Sequence, residues 1–281
     1  MSKPEFLETE IFLEGLKFPE GPRWHDEKLW FSDMFTRKVM TVDLQRNVET
    51  IIKMEDAPSG LGWLPDGTLL VVSMNDERLM RLDPDGLKEV ADLNSLATFR
   101  CNDMVVDMKG RAYVGNCGFN FQTEQLKLAE IILVTPEGNA QIVADNLAHP
   151  NGTVITPDDK TLIVAETFGS KLTAFDILEN GLLEKRRIWA NLKSMNPDGI
   201  CLDAEGGIWI ASPGSGKVFR VLEGGKVTHE VKVSSQAYAC MLGDIDRCSL
   251  FVATSTAFDK TNRIEGRIEI ARVEIPGAGL P

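Results

Sequence analysis

Short apolar runs recur along the chain, and each follows a tight-turn sequence that joins it to an earlier strand-like run. Six such runs are spaced by roughly 40–50 residues, which is the repeat length of propeller blades. They lie at 29–32, 69–72, 112–115, 162–165, 208–211 and 250–253. Most of the turns before them carry Pro, Asp or Gly, which favour tight turns. The pattern therefore predicts a β-hairpin that is repeated six times.

Further strand-like runs lie between the hairpins, and each is closed by its own turn, as at 79–82, 131–134 and 218–221. Four strands per repeat form a blade, and six blades close a propeller. We therefore predict an all-β protein, a six-bladed β-propeller with four-stranded antiparallel blades, that occupies residues 1–281 as a single domain. The runs near 10–13 and 268–271 are expected to share a blade.

Two stretches depart from this regular pattern of strands. Helical periodicity is scarce, and 122–130 is the best candidate for a short helix. The surrounding stretch, 100–130, is the least regular part of the chain, and we expect it to hold a loop over one face of the propeller.

Composition narrows the classes of function. The chain has 281 residues and a formal net charge of −12, which makes nucleic acid and anionic membranes poor partners. No apolar run is long enough for a transmembrane helix. Residues 1–8 lack the basic-then-apolar order of a signal peptide, and the five cysteines form no CxxC motif. We expect a cytoplasmic protein with free thiols, either a monomer or a small homo-oligomer.

One position recurs about ten residues before the second strand of each hairpin, where the preceding strand begins. Because the first strand of each propeller blade faces the central channel, these six positions should converge on the axis. They are held by Glu20, Ser59, Asn102, Asn151, Asp198 and Cys240. Glu20, Asn151 and Asp198 offer oxygen ligands of the kind that divalent cations prefer.

Each of these three residues also has an ordinary structural interpretation. Pro-Asp-Gly is a common turn that the chain repeats at 65–67 and 84–86, Asn-Gly often forms hairpin turns, and a glutamate is usually solvated. The register distinguishes Asp198 from Asp66, because Asp198 precedes its strand whereas Asp66 lies inside a hairpin turn. The constellation, rather than any single member, predicts a metal site.

These motifs together resemble the SMP-30/gluconolactonase family of metal-dependent lactonases over residues 18–254. The resemblance lies in Glu-Gly-Pro-Arg-Trp at 20–24, Arg-Cys-Asn-Asp at 100–103, Asn-Gly at 151–152 and Asn-Pro-Asp-Gly at 196–199. It implies one divalent metal ion held by Glu20, Asn151 and Asp198, with Asp198 also the catalytic base. It further implies that Arg100 and Asn102 bind the substrate. Calcium is the expected metal, and zinc, manganese, magnesium and iron are alternatives.

The resemblance implies hydrolysis of a small-molecule lactone, most simply a sugar aldonolactone such as gluconolactone. Six further residues are candidates for the pocket wall: Ser59, Met74, Asn116, Phe119, His149 and Cys240. Cys240 as a nucleophile would require a histidine base, which the sequence does not place. Two alternatives stay open, a phosphotriester hydrolase that uses the same site and a propeller that binds ligands without catalysis.

Overall fold

A computed structural model describes residues 3–193, 195–258 and 263–278. Over these residues the chain forms six antiparallel sheets in a propeller arrangement, which confirms the predicted fold class. The first two strands are β1 (Glu5–Glu8) and β2 (Glu10–Leu16).

Blades 1 to 3 use consecutive strands. Blade 1 comprises β3 (Pro19–His25), β4 (Lys28–Asp33), β5 (Lys38–Asp43) and β6 (Val48–Lys53). Blade 2 comprises β7 (Pro58–Trp63), β8 (Leu69–Ser73), β9 (Arg78–Asp83) and β10 (Gly86–Asp92). Blade 3 comprises β11 (Cys101–Val106), β12 (Ala112–Asn116), β13 (Ala129–Val134) and β14 (Ala140–Leu147).

Blades 4 to 6 complete the ring. Blade 4 comprises β15 (Pro150–Ile155), β16 (Thr161–Glu166), β17 (Lys171–Ile177) and β18 (Leu183–Asn191). Blade 5 comprises β19 (Ile200–Leu202), β20 (Ile208–Ser212), β21 (Lys217–Leu222) and β22 (Lys226–Lys232). Blade 6 comprises β23 (Gln236–Gly243), β24 (Ser249–Ser255) and β25 (Gly266–Arg272).

The amino-terminal strands close the ring. β2 pairs with β25 in antiparallel fashion, so the two ends of the chain share blade 6 as predicted. β1 pairs in parallel with β22 and adds a fifth strand to blade 5, which the sequence did not predict. The first strands thus fasten two neighbouring blades to each other.

The second strand of each blade forms most of the buried core. Every residue of β8, β12, β20 and β24 is buried. Each blade packs between two neighbours, so both faces of these strands are covered and their sequences read as continuous apolar runs. Leu70 and Val72 of blade 2, for example, belong to the same apolar cluster as Val114 and Ile132 of blade 3.

Glycines set the spacing of the inner strands around the hub. The inner strands make contact in the cyclic order β3, β7, β11, β15, β19, β23 and back to β3. A Cβ atom on Gly152 would lie 2.5 Å from the backbone nitrogen of Ile200, and one on Gly199 would lie 2.4 Å from the Cβ atom of Ala239. These distances are too short for any side chain, so glycine is required here for space.

The helix predicted at 122–130 is wrong. Thr123 and Glu124 donate backbone hydrogen bonds to the carbonyl of Asn120, but the turn ends there and 125–128 is irregular. Helical structure among the described residues is limited to two single 3-10 turns, Met34–Thr36 and Thr167–Gly169. A helix of the length and hydrophobicity needed to cross a membrane is absent from the described part of the chain.

We predict that Gly152→Ala lowers the free energy of unfolding by about 1–3 kcal/mol or more, because its Cβ meets the backbone of blade 5. Gly67→Ala is the control, since Gly67 has φ of +85° and nothing within 4 Å of an added Cβ. The Gly67→Ala variant therefore measures the effect of backbone strain without steric crowding. Urea unfolding gives the free energy of unfolding of the two variants, and an equal loss in both would contradict steric packing of the hub.

Candidate functional site

A cavity of about 810 Å³ opens at one end of the hub, and all six blades contribute to its lining. Eight of the residues predicted from the sequence line this cavity. They are Glu20, Met74, Arg100, Asn102, Phe119, His149, Asn151 and Asp198. Ser59, Asn116 and Cys240 are not among the lining residues.

The carboxylates of Glu20 and Asp198 lie close together at the floor of the cavity. Burial, followed by repulsion from Asp198, raises the pKa of Glu20 well above its ordinary value. Burial and repulsion from Asp103 raise the pKa of Asp198 to about 8. Buried acids shift in this direction because the low dielectric disfavours their charged form. The structure thus brings together an acid from β3 and an acid that lies two residues before β19.

Asn151 links the fourth blade to this pair of acids. Its side chain hydrogen-bonds the Asp198 carboxylate, and its Nδ2 also donates to the Thr167 hydroxyl over 3.2 Å. The Thr167 hydroxyl in turn donates to the carbonyl of Pro197 over 2.8 Å. Thr167 therefore positions the Asn151 amide and fixes the strand end that carries Asp198. In the sequence, the signal for Thr167 is limited to its place just after a second strand.

Ser59 acts on the site through Asn102. The Ser59 side chain is buried, and its hydroxyl donates to Oδ1 of Asn102 over 3.2 Å. Arg100 is exposed at the edge of the cavity, where its guanidinium stacks over the Phe99 ring at 5.0 Å. Asn102 is thus held in place, whereas Arg100 projects toward solvent.

A buried ion pair lies next to the two floor acids and was missed in the sequence. Nη2 of Arg23 donates to Oδ1 of Asp103 over 2.9 Å and to the Met104 carbonyl over 2.6 Å. The pair spans β3 and β11, two strands that do not neighbour each other around the hub. Asp103 occupies the place where most other blades have the glycine that follows the axial residue. The absence of that glycine was the available signal.

The sixth axial position belongs to Tyr238, and the prediction of Cys240 is wrong. In blades 2, 3 and 4 the residue before the axial one forms the last pair before a register shift between the first and second strands, as Pro58 does with Ser73. In blade 6 the last pair before that shift is Ala237 with Thr254, which makes Tyr238 the axial residue. Strand β23 is eight residues long, so counting back about ten residues stopped two positions short.

Cys240 instead packs inside the hub. Its Sγ lies 3.4 Å from the carbonyl of Trp209 and 3.9 Å from Sγ of Cys201. Asn116 is also a structural residue rather than part of the pocket wall. It is fully buried, with its Nδ2 donating to Oε2 of Glu130 over 3.0 Å and its Oδ1 accepting from the Gly118 amide over 3.0 Å.

His149 lines the cavity as a neutral ring. Burial lowers its pKa to about 4, and its ring packs edge-on against Phe168 with centroids 5.3 Å apart. Its backbone has φ of +63°, an uncommon conformation for a residue other than glycine. Among the described residues, Nδ1 of His149 has no hydrogen-bond partner.

Eight phenylalanine and tyrosine side chains line the cavity. The Arg100 guanidinium lies over the ring of Phe99, and we call the other seven the aromatic arc. They are Phe18, Phe35, Phe119, Phe121, Phe168, Tyr238 and Phe258. Among them, Phe119 is one of the pocket-wall candidates predicted from the sequence. A repeat-level signal was available, because four of the phenylalanines follow the end of a second strand by two or three residues. These are Phe35, Phe119, Phe168 and Phe258.

The donor set at the floor fits a divalent cation that prefers oxygen. Glu20, Asn151 and Asp198 can each offer an oxygen atom, and the raised pKa values show that the two negative charges lack full compensation. Within the described residues, no three or more His, Cys, Asp or Glu side chains are arranged to hold a metal ion. The set therefore depends on the amide oxygen of Asn151.

Comparison with known proteins supports the family resemblance that the sequence motifs indicate. The model of the SMP-30/Gluconolactonase/LRE-like region matches residues 18–256. Regucalcin of Xenopus laevis is 25% identical over 255 residues, which cover 87% of this chain and 85% of that protein. Lactonase drp35 of Staphylococcus saprophyticus is 28% identical over 227 residues, covering 76% and 67% respectively.

The fold also has close counterparts among solved structures. The solved structure of a luciferin-regenerating enzyme superimposes on this one with a TM-score of 0.82 at 16% identity. The superposition covers 96% of this chain and 98% of the other. At this identity the likeness concerns the fold alone.

We predict that Arg23→Met lowers the free energy of unfolding by about 3–5 kcal/mol, since it leaves Asp103 buried without its cation. The double variant Arg23→Met/Asp103→Leu should recover much of this loss, because no unpaired charge then remains. Denaturant unfolding of both proteins tests the pair. A double variant at least as unstable as the single one would show that the loss comes from packing.

Proposed function

The chain belongs to the SMP-30/gluconolactonase/LRE-like family, and we propose that it is a divalent-metal-dependent lactonase that hydrolyses a small cyclic ester. The observation that carries the proposal is the meeting of Glu20, Asn151 and Asp198 at the floor of a cavity large enough for a small molecule. A curated relative named as a lactonase lends support, since it aligns over most of this chain.

Glu20, Asn151 and Asp198 are the residues that would hold the metal ion. When bound, a divalent cation supplies a Lewis acid that stabilises the negative charge developing on the lactone carbonyl oxygen. All three donors are oxygen atoms, which favours calcium, magnesium or manganese over metals that seek nitrogen or sulfur.

The chain's own residues supply binding and proton transfer. In the proposed reaction Asp198 accepts the proton of the water that attacks the carbonyl carbon. The ester C–O bond then breaks, and the alkoxide of the opened ring takes up a proton to give a hydroxy acid. Asn102, held by Ser59, orients the ester at the floor. Arg100 offers donors to polar substituents at the edge of the cavity.

We predict that Asp198→Asn lowers lactone hydrolysis by about 10²–10⁴-fold or more while the protein stays folded, because a base is lost. EDTA should have a comparable effect, reversed by added divalent metal. The matched control is Asp66→Asn, which alters the same Pro-Asp-Gly motif in an exposed hairpin turn. A pH-indicator assay with several lactones and one phosphotriester measures the rate of hydrolysis. Circular dichroism of each variant checks that it stays folded.

Two results would oppose the proposal. Lactone turnover that survives both Asp198→Asn and EDTA would remove the metal-dependent mechanism. Turnover of the phosphotriester alone would keep the site but assign it the alternative chemistry.

We also predict that the metal-free protein loses stability as the pH rises from about 6.5 to about 8. The pKa of Asp198 is raised from 3.8 to about 8 and that of Glu20 is also raised, so the folded state binds more protons than the unfolded state in this window. His149 has the opposite effect on stability, because its pKa is lowered from 6.5 to about 4 in the folded state. Its contribution changes with pH between these two values and is complete near pH 6.5, where the window begins.

Urea unfolding in EDTA across this pH range measures the slope of the free energy of unfolding against pH. Saturating Ca²⁺ or Mn²⁺ should make this slope smaller. Glu20→Gln should reduce the slope in EDTA, because one of the two repelling charges is gone. The same slope with and without divalent cation, or in wild type and Glu20→Gln, would contradict uncompensated charge at the floor.

A further inference from the structure

The aromatic arc forms an almost continuous chain of ring contacts around the cavity. Phe18 contacts Phe35, Tyr238 and Phe258 with ring centroids 5.0, 4.6 and 5.6 Å apart. Phe258 contacts Phe121 at 5.7 Å, and Phe121 contacts Phe168 at 6.4 Å. Such distances are those of favourable aromatic pairs. The rings thus build one surface from blades 1, 3, 4 and 6.

Four of these rings keep large exposed faces. Phe35 is 46% exposed, Phe121 48%, Phe168 45% and Phe258 50%. Folding alone would bury such rings, so their exposure at one rim is a contiguous apolar patch of the kind that marks a binding site. The patch leads directly into the cavity that holds Glu20 and Asp198.

The position of these rings in the repeat separates them from the hub. Phe35, Phe119, Phe168 and Phe258 lie just beyond the second strands, in loops at the same end of the propeller. These loops are not needed to close the ring of inner strands. Blades 2 and 5 have Asn75 and Gly214 two residues beyond their second strands, so the aromatic surface is confined to part of the rim.

Exposed aromatic rings dominate the opening of the cavity, and polar groups lie both at the opening and at the floor. Glu20, Asn102, Asn151 and Asp198 lie where the inner strands begin. The opening is lined by the four exposed phenylalanines, beside Arg37, Asn75 and Arg100. An aldonolactone carries hydroxyl groups around its ring and requires polar partners on several sides. The cavity volume of about 810 Å³ is near the upper end of the range for drug-sized ligands. The volume and the four exposed rings at the opening suit a larger and less polar molecule.

We infer that the substrate is a lactone bearing a planar apolar ring, with its ester at the polar floor and its ring against the aromatic arc. This departs from the sequence-based expectation of a sugar aldonolactone. The inference rests on the proposed lactonase function and specifies the substrate class of the same site. Stacking and edge-to-face contacts with Phe121, Phe168 and Phe258 would supply the selectivity.

Three lactones with the same six-membered ring test the inference. In D-glucono-1,5-lactone the ring carries hydroxyl groups, in δ-valerolactone it is unsubstituted, and in 3,4-dihydrocoumarin it is fused to a benzene ring. Each kcat/KM is divided by the rate constant for hydrolysis by hydroxide, since the phenolic ester is intrinsically more reactive. We expect the corrected value to be highest for dihydrocoumarin and lowest for gluconolactone.

Single substitutions then assign the preference to the arc. Phe168→Ser and Phe258→Ser should each lower kcat/KM for dihydrocoumarin by about two- to tenfold, mainly through KM, and change δ-valerolactone by less than about twofold. Both rings are half exposed, so folding should persist. Phe6→Ser is the matched control, because Phe6 is 55% exposed on β1 and does not line the cavity.

A second readout does not require turnover. Chroman, which has the fused rings of dihydrocoumarin but no carbonyl, should bind the metal-free protein in saturation-transfer NMR, and Phe168→Ser should weaken that signal. Efficient hydrolysis of gluconolactone with no effect of the arc variants would overturn the inference and leave the lactonase proposal standing. Hydrolysis of none of the lactones with any divalent metal would overturn both.

Discussion

The structure depends on how closely the inner strands of the propeller approach each other. Gly60, Gly152 and Gly199 have no room for a Cβ atom, because the backbone or side chain of the next blade lies 2.4–2.5 Å from where it would be. This contact distance fixes the diameter of the hub. The residue just before each of these glycines is therefore brought to the axis, whatever its side chain. The same packing that closes the fold thus assembles Asn151 and Asp198, from distant parts of the chain, into one site.

The narrow hub also creates an electrostatic problem at its centre. Glu20, Asp103 and Asp198 lie within electrostatic reach of one another, and the neighbouring cation that lowers the pKa of Glu20 is Arg23. Arg23 is committed to Asp103 through a hydrogen bond of 2.9 Å. When all three acids are ionised, two negative charges remain in excess of Arg23. A divalent cation offsets that excess, whereas protonation does so only at the cost of an available base.

Most of the fold was predictable because strand pattern and turn chemistry are local properties. The second strands are buried on both faces, so their apolar runs located every blade. The axial residues followed by counting, except where β23 is longer and the count reached Cys240 in place of Tyr238. Asn116 and Thr167 could not be assigned from sequence, because their roles depend on partners such as Glu130 and Pro197 that only folding brings near. The parallel pairing of β1 likewise has no local signal.

The division between hub and rim explains how one fold can keep its chemistry while changing its substrate. A side chain at the hub is constrained twice, by the spacing of the inner strands and by the charges around it, as Asp198 is. A ring such as Phe168 or Phe258 meets neither constraint, since it lies in a loop beyond the second strand and keeps about half of its surface exposed. Substitutions at the rim therefore alter the shape and polarity of the opening at little cost to folding. It follows that the family resemblance, which rests largely on motifs at the hub, bears on the reaction more directly than on the molecule that undergoes it.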